Sequence, residues 1–282
     1  MKNRGNVKEN SYLCTNFRGQ MKIKEVISAL ERFAPLPLQD GFDNAGLQIG
    51  LTEAEATGAL LCLDVTEAVV EEAIALGYNL IVSHHPLLFK GYKSITGKDY
   101  VERCIMKAIR NEIVIYSAHT NLDNAQGGVN FKIAEKIGLK NVQVLDPKEC
   151  MGEVVAGAGV IGELDEPETE TDFLKRIKKL FEVGCVKHNR MTGRLIRKVA
   201  LCGGSGAFLL PRAVDGGADV FITGEVKYHD YFYYENQILV AEIGHYESEQ
   251  YTKEIFQSII REACPELEVK MTRVNTNPIK YL

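Results

Sequence analysis

The sequence predicts an α/β fold arranged as two related lobes. Two observations carry that prediction: strand-like and helix-like segments alternate along the chain, and one strand–helix–strand unit recurs. A third observation, the gathering of histidines and carboxylates just beyond predicted strand ends, says where any chemistry sits.

Residues 22–34 place Ile23, Val26, Ile27 and Leu30 on one helical face, and Pro35 and Pro37 stop that helix. A polar loop from Asp40 to Gly46 leads into the strand-like stretch 47–50. Further strands are expected at 58–64, 79–84, 112–118, 153–162, 197–203, 218–223 and 237–243. Helices are expected near 66–76, 98–110, 130–138, 171–182, 206–216 and 246–263. Glycines interrupt 153–162, which marks it as an edge or connecting strand.

Residues 59–85 can be laid on 199–225 without a gap. Leu61 then meets Leu201, Cys62 meets Cys202, Ala73 meets Ala213 and Gly77 meets Gly217. The following strand, 113–118, corresponds to 238–243. The expected organisation is a tail at 1–20 (a mis-called start or a loose end before Met21), a first lobe at 21–125 and a second at 126–243. A C-terminal helix and strand at 244–282 return to the first lobe.

The 282 residues are 45% hydrophobic and 25% charged, an ordinary globular balance. A net charge of -5 with no basic run argues against a nucleic-acid binder. No apolar run approaches the ~20 residues that span a bilayer, and the N-terminal stretch lacks the apolar centre of a secretory signal. Seven cysteines, an odd number without a CxxC pair, read as reduced thiols in the cytoplasm.

Three predicted strand ends carry unusual side chains. The run 81–86 leads a buried strand into His84, His85 and Pro86. Adjacent side chains on extended backbone diverge, so two neighbouring ions suit this pair better than one. The run 115–123 ends in His119 and Asp123. Asp123 is a carboxylate ligand or a turn cap, and His119 is a ligand or orients one through its second ring nitrogen. The run 241–249 ends in His245 and Glu249, four apart and so on one face of a helix. Three imidazoles and two carboxylates without thiolate suit Zn, Mn, Fe or a similar divalent ion. The expected architecture therefore puts a pair of divalent ions between the lobes, at strand C-terminal ends. Glu225 and His229 occupy the strand end equivalent to the double histidine. Gly203, Gly204 and Gly206 lie where backbone N–H groups cradle phosphates in other folds, although the P-loop Lys-Ser/Thr is missing.

The segments SHHP at 83–86, HTNLD at 119–123, GGVN at 127–130, TGEVKYH at 223–229 and GHYESE at 244–249 resemble the GTP cyclohydrolase I type 2 homologues. That family is also called Ngg1-interacting-factor-three-like. FDNAGLQIG at 42–50 resembles its N-terminal loop, with Phe42 where Trp is usual. The resemblance runs in order from about residue 21 to the end, and the large inserted domain of some members is missing. It implies a ring-shaped homohexamer with a dinuclear site facing inward. It also implies that His85 and Asp123 hold one ion, His84 and His245 the other, and that Glu249 bridges. The function expected is a metal-dependent hydrolase acting on a small, nucleotide-like substrate, with His119, Glu225 or His229 transferring protons. A metal carrier and a metal-stabilised scaffold need the same ligands without a proton shuttle.

Overall fold

The computed structural model describes residues 21–148 and 156–282. The expected tail, Cys14, Cys150 and the start of the 153–162 strand lie outside the described residues.

The chain opens with α1 (Ile23–Phe33), β1 (Gly46–Ile49) and β2 (Ala59–Cys62). Thr66 caps α2 (Glu67–Leu76) by accepting from the Val69 N–H, and Gly77 ends it in the left-handed region at φ 71°. Then come β3 (Leu80–Ser83), α3 (Tyr100–Arg110), β4 (Val114–Ser117), α4 (Thr120–Asn124) and α5 (Val129–Ile137). β5 (Lys140–Lys148), β6 (Ala156–Thr169), α6 (Glu170–Leu180), β7 (Lys187–His188) and β8 (Leu195–Cys202) follow. The rest is α7 (Leu210–Asp215), β9 (Val220–Thr223), α8 (Asp230–Tyr233), β10 (Leu239–Glu242), α9 (His245–Glu249), α10 (Thr252–Ala263) and β11 (Val269–Met271).

Two sheets result, in the orders β1-β4-β3-β2-β11 and β5-β6-β8-β9-β10-β7. Their centres are parallel; β1 on β4, β5 on β6, β6 on β8 and β7 on β10 pair antiparallel, whereas the edge strand β11 pairs parallel with β2. β2 and β3 pair from Ala59↔Leu80 to Cys62↔Ser83; β8 and β9 pair from Val199↔Val220 to Cys202↔Thr223. The two registers are the same after a displacement of 140 residues. The faces agree as well. Leu61 and Leu201 join one apolar layer that lies between the sheets with α1, α5, α6 and α10. Cys62 and Cys202 point the other way, into separate outer layers with α2 and α3 or with α7. No helix among the described residues is long and apolar enough to cross a membrane.

Three expectations about elements need correction. β6 is an inner strand between β5 and β8, not an edge or connector. Its glycines admit close neighbours: a Cβ on Gly157 would lie 2.2 Å from the Asp146 carbonyl oxygen, and one on Gly159 would lie 2.8 Å from that of Leu201. The helix expected at 206–216 is a 3₁₀ turn, Gly206–Leu209, followed by α7. Pro211 has no N–H for an α-helical bond back to residue 207. The helix expected at 246–263 is divided into α9 and α10.

Candidate metal centre

β3 delivers His84 and His85 directly beyond Ser83. β4 delivers His119 and, on α4, Asp123. β10 ends before Gly244, whose φ of 91° turns the chain into α9 with His245 and Glu249 on it. His85, His119, Asp123, His245 and Glu249 line one cavity of about 500 Å³, and His84 is buried beside them.

Three groups of ligand atoms have all members within 4.8 Å of one another: His84, His85 and His119; His85, His245 and Glu249; and His84, Asp123 and Glu249. His84 Nε2 is 3.6 Å from Asp123 Oδ1 and 3.8 Å from Glu249 Oε1. His85 Nε2 and His245 Nε2 lie 3.0 and 3.1 Å from Glu249 Oε2. The distances pair His84 with Asp123 and His85 with His245. The family resemblance implied the other grouping, His85 with Asp123 and His84 with His245, and Glu249 is central to both.

The outer nitrogens explain how the rings are held. His84 Nδ1 meets the Ala118 carbonyl at 2.9 Å, and His85 Nδ1 meets Asp64 Oδ1 at 2.7 Å. His119 Nδ1 meets Asp43 Oδ1 at 2.7 Å, and His245 Nδ1 meets Glu225 Oε1 at 2.9 Å. Each of these partners accepts, so each Nδ1 donates its proton outward. Every Nε2 is then left with a lone pair facing the cavity, the arrangement typical of metal-bound histidine. His84 Nε2 is fully buried and has no hydrogen-bond partner. Lone pairs aimed at one another and at carboxylate oxygens repel unless positive charge lies among them.

Protons supply that charge where no ion does. Burial opposes a charged His85, yet Asp64 and Glu249 hold its ring pKa up at about 10. Burial likewise opposes a charged His245, and Glu249 and Glu225 raise it to about 9. Burial and then the neighbouring Glu249 charge push Asp123 well above the carboxylate range. Burial works against an ionised Glu249, but the surrounding imidazoles hold it well below that range.

The sequence-predicted residues fare unequally. His84, His85, Asp123, His245 and Glu249 come together, and His119 joins them with its Nδ1 clamped. Glu225 lines the cavity, but it is a positioning group bound to His245 and to Ser205 Oγ at 2.7 Å. His229 is exposed, stacks edge-on against Tyr228 and does not line the cavity. The glycine loop is not a free phosphate cradle, because Gly203, Gly204 and Gly206 donate their N–H groups to Asn130, Ser248 and Thr223. It backs Glu249 instead: a Cβ on Gly204 would fall 2.3 Å from Glu249 Oε1.

Sequence reasoning missed Asp64 and did not single out Asp43. Asp43 also accepts from the Thr120 N–H at 3.0 Å, and this bonding outweighs burial to hold it at about 2. Asn130 of the GGVN motif joins the halves, donating to the Asp123 carbonyl at 3.1 Å and accepting from the Gly203 N–H at 2.9 Å. The C-terminal segment straps the mouth. Thr276 Oγ1 donates to Asp64 Oδ2 at 2.7 Å, and Asn277 Nδ2 donates to Glu247 Oε1 at 3.0 Å.

A mixed α/β chain with two sheets and a histidine–carboxylate cluster suited to a metal ion is what fold and site define. The family model described as Duf34/NIF3 (NGG1p interacting factor 3) matches residues 21–278, and the chain belongs to that family. It is 37% identical to a GTP cyclohydrolase 1 type 2 homolog of Clostridium perfringens, over 81% of this chain and 87% of the relative. It is 27% identical to one from Staphylococcus aureus, over 93% of this chain and all of the relative. That alignment runs over 368 positions, so the Staphylococcus protein carries insertions that this chain lacks. Among solved structures, a Staphylococcus aureus protein superimposes with a TM-score of 0.86 at 30% identity, covering 93% of this chain and all of that one. The Bacillus cereus protein related to NIF3 gives 0.85 at 25% identity, over 93% of this chain and all of that one.

Proposed function

We propose that this chain is a dinuclear metal-dependent hydrolase of a small, nucleotide-like substrate. One observation carries the reading: inward Nε2 lone pairs, each fixed by an outward Nδ1 bond, converge with two carboxylates. His84 and Asp123 would hold one ion and His85 and His245 the other, with Glu249 between them and His119 at hand for a further bond. Bound divalent ions would supply Lewis-acid polarisation and lower the pKa of water. The protein's own part is to fix the ring tautomers and to hold the substrate beside the cluster. The name shared by the curated relatives supports a nucleotide-like substrate.

The same reading takes the chain as two lobes descended from one repeat, supported by the common register and common facing of β2–β3 and β8–β9. It also takes the protein as a cytoplasmic homohexamer. Free Cys62, Cys104, Cys185, Cys202 and Cys264 support the reducing compartment, and the hexamer rests on the family resemblance.

A second reading, a metal carrier, is favoured by one specific finding. The three expected proton-transfer groups are engaged or distant: His119 is clamped, Glu225 is bonded twice and His229 lies outside the cavity. Elemental analysis of purified protein tests the shared premise, with about two ions per chain expected and loss in a double Asp123→Ala/Glu249→Ala variant. Turnover of nucleotides that disappears in that variant supports the hydrolase. Rapid ion exchange without turnover supports the carrier, and metal-free wild type after reconstitution overturns both.

A further inference from the structure

The walls around the candidate metal centre say what kind of molecule fits beside it. Phe42 is 76% exposed, Phe208 64%, Tyr100 55% and Phe89 53%, and all four line the cavity. They come from connections on both sheets, and Leu87 and Ile279 line the same cavity. Exposed rings gathered at one polar centre are a stacking surface for a flat ligand.

The charge of the cavity points the same way. Among the described residues, no lysine or arginine lines it. Asp40 also lines it, but that carboxylate is paired with Lys148. Two divalent ions bring four positive charges, and Asp64, Asp123, Glu225 and Glu249 bring four negative ones. A loaded site is therefore close to neutral, with no surplus to hold a triphosphate of about four negative charges. The backbone donors that bind phosphates elsewhere are also spent. Three glycine N–H groups of the 203–206 loop bond inside the protein, and the first N–H of α4 is taken by Asp43.

We propose that the cavity binds an uncharged, planar heterocycle of nucleobase or nucleoside size, stacked on the Phe42, Phe89, Tyr100 and Phe208 rings, and disfavours polyphosphates. This narrows the substrate class of the proposed hydrolase and rests on the two-ion reading for its charge balance.

Calorimetric titration of zinc-reconstituted full-length protein with guanosine, GMP and GTP tests it, with zinc content measured on the same samples. Guanosine is expected to bind at least tenfold more tightly than GTP, with GMP between them. Phe208→Ala and Phe42→Ala are each expected to weaken guanosine at least tenfold with zinc content unchanged. Phe232→Ala, an exposed ring outside the cavity, is expected to change neither. GTP binding more tightly than guanosine overturns the proposal, as does guanosine binding that ignores both ring substitutions. Zinc-loaded protein that binds none of the three also overturns it, and the metal reading survives. Protein that retains no zinc overturns the metal reading itself.

Discussion

The Nε2 atoms of His85 and His245 stand 3.2 Å apart, each ring donating its other N–H to a carboxylate, Asp64 or Glu225. Two lone pairs at that distance, beside Glu249, favour any cation that enters between them. Chelation is therefore expected to lower thermal stability and divalent ions to restore it. Ions present at about 1,000 times their Kd add about 4 kcal/mol, or about 10 °C in Tm for a chain of this size. Scanning calorimetry with EDTA and then with added zinc or manganese checks this; an unchanged Tm counts against an ion-binding site.

Asp64 touches no other charged group of the cluster directly, yet it fixes the His85 tautomer. Asp64→Ala is expected to weaken metal binding about 10–100-fold while the circular dichroism spectrum stays native. Competition with a chromogenic chelator measures the loss. Unchanged affinity would show that ring orientation is set elsewhere.

Gly204 sits at φ 58°, against the Glu249 carboxylate. Gly204→Ala adds a methyl where Glu249 Oε1 now lies and imposes left-handed backbone on a residue that resists it. A stability loss of about 1–3 kcal/mol is expected, together with fewer bound ions. Denaturant unfolding and elemental analysis read the two effects.

Glu102 supplies a pH prediction away from the cluster. Its side chain is inaccessible and accepts from the Thr96 N–H and Oγ1 and from the Lys98 N–H. Burial opposes its ionised form, but these donors hold it at about 2. A carboxylate held below its ordinary value near 4.3 stabilises the fold above that pH and stops doing so as pH falls toward 2. Hydrogen exchange at 96–99 is expected to rise between about pH 4 and 2, and Glu102→Gln is expected to flatten that rise.

Much of the architecture was legible because the central strands are short, apolar and bounded by turns. The clustering of the candidate residues was legible for a related reason: polar residues directly after a buried strand must lie at its carboxyl end. Asp64 was readable in principle. Since Cys62 pairs with Ser83, two residues further along both strands put Asp64 level with His85. It was missed because a single aspartate after a strand looks like any turn residue. β5 was missed because exposed Lys140, Asn141, Gln143 and Lys148 fall on consecutive as well as alternate positions and mask its alternation. The position of β6 was misjudged because glycine signals close backbone approach as readily as an edge, and only the neighbours tell the two apart.

Synthesis runs from the N-terminus, so Thr276 and Asn277 leave the ribosome after all the candidate ligands. Until they arrive, Asp64 lacks the hydroxyl that steadies it, and His85 lacks a settled partner. The nascent chain thus carries every candidate donor before it carries the clasp that steadies Asp64.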